Sequence, residues 1–317
     1  MNGFRVSQFL TRWWTEFWEA LEAFFFQPSG ASVLALVRIA TGCMIAYIHL
    51  VWLMNLESFF GPAALLDYES LSMLHRNAWK WTYLDGRESL WFACVHELLA
   101  LGAGLAMAFG YWTRWATPLA WFLTLMTAHR LAPFLFGLDQ IVLMLAMYLS
   151  VSHSGDRWSL DRRCGLVRTE SKHWRNTLAT RLIQLHLCVI YFFGGLGKAR
   201  GWMWWDGTAM WYAAASYEYQ SMDLTWIGRY PTLGSILTHV TLFWEIAYAA
   251  LVWPRLTRPW VLALAMFMHI GIGIFLGMIT FGLMMVVSNV TFISPSLFDL
   301  GSLRDEIAPL GNADPKG

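Results

Sequence analysis

Long apolar runs broken by short polar connections dominate the chain. They fall near 32–54, 89–110, 115–136, 138–152, 178–197, 236–253, 259–276 and 278–294. Each is at or close to the length that crosses a bilayer core, which predicts an all-α integral membrane protein with about eight transmembrane helices. Residues 4–26 follow another rule. Leu10, Trp13, Trp14, Phe17, Leu21, Phe24 and Phe25 recur on one side, and Arg12, Thr15, Glu16, Glu19 and Glu22 fill the other. That period predicts an amphipathic helix lying on the membrane, not a span or a cleavable signal peptide. Gln27-Pro28-Ser29-Gly30 ends it. The expected organisation is an interfacial helix over 1–29, a transmembrane domain over 30–296 and a cytoplasmic tail over 297–317. Between spans, 55–88 reads as a loop plus a short surface helix, and 199–235 as a long aromatic connection.

Composition sharpens this. Of 317 residues, 57% are hydrophobic and 14% charged, and mean hydropathy is +0.45. These values lie outside the soluble range. The 20 Trp and 21 Phe suit a chain whose aromatics gather where acyl chains meet headgroups. A net charge of +1 gives no field that would draw nucleic acid. Cys43, Cys94, Cys164 and Cys188 form no CxxC pair, so neither a disulfide framework nor a zinc knuckle is expected.

Lys and Arg set the orientation. The 153–177 connection holds Arg157, Arg162, Arg163, Arg168, Lys172 and Arg175, and the same side takes Arg5, Arg12, Arg114, Arg255, Arg258, Arg304 and Lys316. That places the chain in the cytoplasmic membrane with both termini cytoplasmic. Because spans alternate, depth follows. His49, His96, Glu97, His129, Arg130, Asp139, Lys198, His239 and His269 fall in the outer half, with Glu245 near mid-depth. Ionisable groups in a bilayer face a partner or a wet cavity, so their clustering predicts one polar cavity opening outward. Adjacent helical residues point about 100° apart, so neither His96 with Glu97 nor His129 with Arg130 is expected to share a face. His96, His129, His239, Glu245 and His269 are ligand types, but four helices would have to converge on an ion. No metal is expected.

The stretch YFFGGLGKARGWMWWDGTAMWY, residues 191–212, carries the most unusual chemistry. Lys198 ends an apolar run beneath a tryptophan cluster. It reads either as an anchor reaching the headgroups or as a base. An ordinary lysine, with a pKa near ~10.4, is protonated at neutral pH, and desolvation is what makes such an amine a useful general base. A Gly-rich turn at Gly194 and Gly195 would let a flat ring approach the backbone. Trp202, Trp204 and Trp205 read as cavity wall or as interface belt, and Asp206 as a helix cap.

Four segments, in order, resemble a known family. LVRIATG with FFGPAALL resembles the start of the horizontally transferred transmembrane domain, and YFFGGLGKARGWMWWDGTAMWYA its hallmark segment. FGLDQIVLMLAMYLSVSHSGDRWSLD is similar to its fourth span, with the Trp-Ser-Leu-Asp ending at 158–161. RPWVLALAMFMHIGIGIFLGMITFGLMMVVSNVTFISP is similar to its last helix pair. The resemblance covers about residues 30–296. The family includes the vitamin K-dependent gamma-glutamyl carboxylases, which implies a lysine that deprotonates a reduced quinone, reaction of that quinone with oxygen, and modification of a glutamate side chain. Lys198 matches that lysine and His269 a family histidine. Asp139 stands where the carboxylases open their fourth span with a histidine.

The resemblance implies a quinol-dependent, carboxylase- or epoxidase-like membrane enzyme with Lys198 as general base. His269, Asp139, His129, Arg130 and His96 would line the cavity, and Gly194, Gly195 and Trp202 would contact the ligand. A reduced quinone is the expected cofactor. In size the chain resembles the short family members that mature an exported peptide toxin with a small soluble partner protein. That suggests two rivals: a peptide-maturation component without redox chemistry, and a non-catalytic lipid or quinone binder.

Overall fold

The computed structural model describes residues 2–62, 64–66, 68–74, 79–86, 89–167, 171–219 and 221–294; the expected tail over 297–317 lies outside them. Among the described residues the chain is all-α, with one isolated bridge joining Ser29 to His173. Helix α1 (Asn2–Phe26) leads into α2 (Ser32–Met54), then the short α3 (Leu56–Phe60) and α4 (Tyr68–Leu74). Next come α5 (Leu90–Phe109), α6 (Thr113–Arg130), α7 (Gly137–Val151) and α8 (Leu160–Arg163). The second half holds α9 (Trp174–Ala199), α10 (Trp202–Trp205), α11 (Ala209–Ala215), α12 (Pro231–Leu251), α13 (Arg258–Phe275) and α14 (Ile279–Asn289). By length and composition α2, α5, α9 and α13 can each cross a membrane; α7 and the segment Ile279–Phe292 are apolar but shorter. The protein is largely helical and membrane-embedded.

Several boundaries differ from the apolar runs. The run 115–136 is helical only to Arg130, and Ala132–Phe134 form a 3-10 turn, since Pro133 has no N–H to continue the ladder. Helix α9 starts at Trp174, ahead of the run at 178, because its first turn contains the polar Arg175 and Asn176. Helix α12 starts at Pro231, whose fixed φ suits a first helical position. Gly194 and Gly195 form no turn: α9 continues through them to Ala199.

A close helix contact explains one pair of glycines. A Cβ on Gly42 of α2 would lie 2.5 Å from Ala108 N and 2.8 Å from Gly104 O of α5. A Cβ on Gly104 would lie 2.9 Å from Ala46 N. The two backbones touch because Gly42, Ala46, Gly104 and Ala108 are small, as at close helix crossings in membranes.

The end of the bundle opposite Lys198 is locked by charge. Arg38 of α2 is fully buried, and its Nη2 donates to Trp158 O at 2.7 Å. Asp161 lies close enough to offset the guanidinium charge. The same carboxylate accepts the N–H groups of Trp112 and Thr113 at 2.7 and 2.8 Å. Trp112 (φ 47) and Trp158 (φ 48) both hold left-handed backbone, which costs about 1–3 kcal/mol each and persists only where surroundings over-determine it. Here Asp161 and Arg38 supply that determination, giving the Trp-Ser-Leu-Asp sequence a structural role.

The α2–α5 contact is testable. Gly42→Leu should lower stability by about 1–3 kcal/mol or more through overpacking, measured by thermal unfolding in detergent. Gly102→Leu, where a Cβ meets nothing within 4 Å, is the control. Equal melting of the two variants would show that the backbones do not touch.

Candidate functional site

Lys198 lies in the last turn of α9 and faces Glu245 of α12. Its Nζ donates to both carboxylate oxygens, at 2.9 and 2.7 Å. The lysine side chain is 31% exposed and the glutamate 12%, so the pair is sheltered yet reachable. Gly195 makes the meeting possible: a Cβ there would lie 2.7 Å from Ile246 Cγ1 and 3.0 Å from Ile246 N. Gly194 borders the pair itself. A Cβ on Gly194 would meet only Glu245 Oε2 at 3.7 Å and Lys198 Nζ at 3.9 Å, and one on Gly197 would meet nothing within 4 Å. A flat strip of backbone thus lies beside the ion pair. Helix α10 folds back over the end of α9, Trp205 Nε1 donating to Ala199 O at 2.7 Å. That places the Trp204 ring 5.5 Å from Lys198 Nζ.

Two turns deeper on α9, Tyr191 organises a buried polar chain. Tyr248 O–H donates to Asn289 Oδ1 at 2.6 Å, and Asn289 Nδ2 donates to Tyr191 Oη at 2.9 Å. Tyr191 in turn bonds His269 Nε2 at 2.7 Å. With Tyr191 donating, His269 carries its proton on Nδ1, and that buried N–H has no partner among the described residues. Trp244 Nε1 is likewise unpaired, and its ring packs edge-on against Tyr191 at 5.0 Å. Unpaired buried donors are uncommon and costly. Two of them flank Tyr191, whose neighbourhood feels the Glu245 charge.

A second polar network occupies α2, α5 and α6. His49 Nδ1 lies 2.6 Å from Glu97 Oε2, and both residues are fully buried. Thr124 spends its proton on Ala120 O, so its oxygen accepts from His49 Nε2 at 3.0 Å. The network therefore assigns one proton to the short His49–Glu97 contact, and the pair is neutral overall. Thr127 donates to Glu97 Oε1 at 3.0 Å and meets His96 Nε2 at 2.8 Å, while Tyr83 Oη reaches His96 Nδ1 at 2.6 Å. Although adjacent on α5, His96 Nε2 and Glu97 Oε1 come within 3.8 Å of each other, and Thr127 of α6 bridges them.

The expected cavity residues thus separate. Lys198 and His269 flank Tyr191 and Glu245, whereas His96 belongs to the His49–Glu97 network. His129 Nδ1 bonds Trp81 O at 2.7 Å, and its own carbonyl accepts from Lys80 Nζ at 2.9 Å. Arg130 is buried at the end of α6. Asp139 accepts the Phe136 N–H at 3.1 Å, capping α7. His239 bonds Ser235 O and Trp205 O. Trp202 is largely exposed; Trp204 is the indole over Lys198. Asp206 accepts from Thr208 N and Oγ1, a side-chain turn leading into α11. Tyr191, Glu245 and Asn289 complete the site, and spacing alone links only Tyr191 to Lys198, seven residues apart on one helix face. Among the described residues no group of three or more His, Cys, Asp or Glu is placed to hold a metal ion. No family model, curated protein or solved structure matches the chain.

The His49–Glu97 pair predicts a stability effect. Glu97→Ala leaves the buried His49 Nδ1 and the Thr127 hydroxyl without their partner and should cost about 1–3 kcal/mol. Glu97→Gln keeps an acceptor for Thr127 and should cost less. Thermal unfolding followed by tryptophan fluorescence measures both; a Glu97→Ala protein as stable as the parent would remove the pair from the structure's energetics.

Proposed function

We propose that the chain is an integral-membrane enzyme that deprotonates a small lipid-soluble substrate at the Lys198–Glu245 pair. The observation carrying this reading is the pair itself: a bidentate contact at 2.9 and 2.7 Å, part-exposed and bordered by the bare backbone of Gly194 and Gly197. A reduced isoprenoid quinone is the substrate class that fits. Its flat ring suits the glycine strip, and its hydroxyl is acidic enough for an amine base. Bound there, it would supply the redox chemistry that couples to modification of an exported peptide, with a small soluble partner presenting that peptide. Lys198 passes its proton to Glu245, takes one from the hydroxyl and, again an ammonium, stabilises the oxyanion. The unpaired N–H groups of His269 and Trp244 offer further donors beside Tyr191.

In this reading α2, α5, α6, α7, α9, α12, α13 and α14 make an eight-helix bundle in the cytoplasmic membrane. Both termini are cytoplasmic, α1 lies on the inner leaflet, and the Lys198 end faces outward. Cys164 is exposed in the basic connection before α9. A membrane-impermeant maleimide should therefore label it in inverted vesicles and leave it unlabelled in intact cells; the reverse pattern would invert the topology.

The bidentate contact also favours a second reading, in which Lys198 is a held cation in a non-catalytic lipid or quinone site. Substitution separates the two. For purified protein in nanodiscs given reduced menaquinone, Lys198→Ala should lower quinol turnover by about 10²–10⁴-fold. Lys198→Arg should lose as much, because a guanidinium does not give up its proton. Turnover retained in Lys198→Arg would eliminate the base assignment and leave the held cation.

A further inference from the structure

Helix α9 carries Lys198 at one end and Arg175 at the other, roughly 35 Å apart at 1.5 Å per residue. At the Arg175 end a recess of about 650 Å³ opens between the start of α6, the end of α7 and the start of α9. Arg114 and Arg175 line it from different helices. Each guanidinium lies over the adjoining indole, Arg114 over Trp115 at 6.0 Å and Arg175 over Trp174 at 5.5 Å. Neither arginine is paired with a carboxylate among the described residues.

The acidic groups in the recess are already engaged. Asp161 holds the N–H groups of Trp112 and Thr113, and Asp156 lies 3.7 Å from His173 Nε2. The carbonyls ending α7 are also partly used, since Leu149 O accepts from Ser152 N and Oγ. His153 lines the recess and stacks on His173 with ring centroids 3.9 Å apart. Burial first, then His173, Arg175 and Arg114, hold the His153 imidazole below its ordinary value. That is the mark of a sheltered place with positive charge in excess. The first turn of α9 adds the positive end of a long helix.

Depth decides what anion belongs there. Trp112 and Trp115 line the recess as large exposed rings, and the exposed Trp174 adjoins Arg175; exposed indoles on a membrane protein settle at headgroup level. Two uncommitted guanidinium groups at that depth match a phosphate, which arginine binds through paired N–H donors. With both carboxylates engaged, no carboxylate is left to hold the ammonium of a zwitterionic headgroup.

We infer that this recess binds the phosphodiester headgroup of an anionic phospholipid, with the phosphate held between Arg114 and Arg175 and the glycerol against the surrounding tryptophans. The assignment is independent of the chemistry at Lys198. The test is titration of the detergent-purified full chain with short-chain phosphatidylglycerol, phosphatidylcholine and inorganic phosphate, read by native mass spectrometry and thermal unfolding. The parent protein should bind phosphatidylglycerol saturably, melt higher with it, and prefer it to phosphatidylcholine. Arg114→Gln/Arg175→Gln should weaken that binding about tenfold or more, while Arg114→Lys/Arg175→Lys, which keeps the charge but not the paired donors, should lose less. The parent's own melting shift keeps the test informative if the glutamine variant folds poorly. Equal binding of the two lipids by the parent, or undiminished phosphatidylglycerol binding by a folded glutamine variant, would overturn the inference. Binding of inorganic phosphate without phosphatidylglycerol would overturn the lipid assignment.

Discussion

Contact between helix backbones is the constraint on which both polar networks depend. On α2, Gly42, Ala46 and His49 recur on one face; on α5, Glu97, Gly104 and Ala108 do the same in the opposite direction. Because the glycines bring the two main chains together, the polar residues two turns away arrive within 2.6 Å of each other. The same construction appears on α9, where Tyr191, Gly195 and Lys198 share a face. Gly195 lies against Ile246, and Lys198 closes on the adjoining Glu245. In an apolar medium helices gain little from hydrophobic association, so small-residue contact sets the register and the polar pairs then hold it.

The two networks are built alike but end differently. Around Glu97 both carboxylate oxygens, both ring nitrogens of His49 and both of His96 have partners. A closed network of this kind fixes three helices against one another and leaves nothing to offer a ligand. Around Tyr191 the accounting stays open. His269 Nδ1 and Trp244 Nε1 lack partners, and the neighbouring ion pair is partly reachable. Unspent donors beside an accessible charge pair distinguish this network from a closed structural clasp.

Much of the fold is legible because the hydrophobic pattern marks each long helix. What the pattern misses is local: Pro133 ends α6 within an apolar run, and polar residues such as Asn176 extend α9 beyond one. The site is less legible. Lys198 stands out by its position, but its partner Glu245 lies 47 residues away, and nothing in local spacing joins them. The depth argument gathers His96, His129, Asp139 and His269 at one level, yet depth says nothing about direction around a helix axis. Packing sends His96 toward Tyr83 and Thr127, His129 toward Trp81 and His269 toward Tyr191. The glycine pair misleads for a physical reason. Adjacent glycines in a soluble chain signal a turn, whereas inside a membrane helix they keep the ladder intact and permit close packing.

The proton exchange proposed for the Lys198–Glu245 pair would follow from where the pair sits. In water an ammonium–carboxylate pair strongly resists conversion to amine and acid, because solvation stabilises both charges. As water is withdrawn the ion pair loses that solvation, and the two forms draw closer in energy. A flat substrate lying on Gly194 and Gly197 would cover the exposed side of Lys198, while Trp204 already shields another. Binding would thus remove water at the moment a proton must move. On the proposed reading the glycine strip and the partial exposure would act together: one would admit the substrate, and the other would let its arrival change the state of the pair.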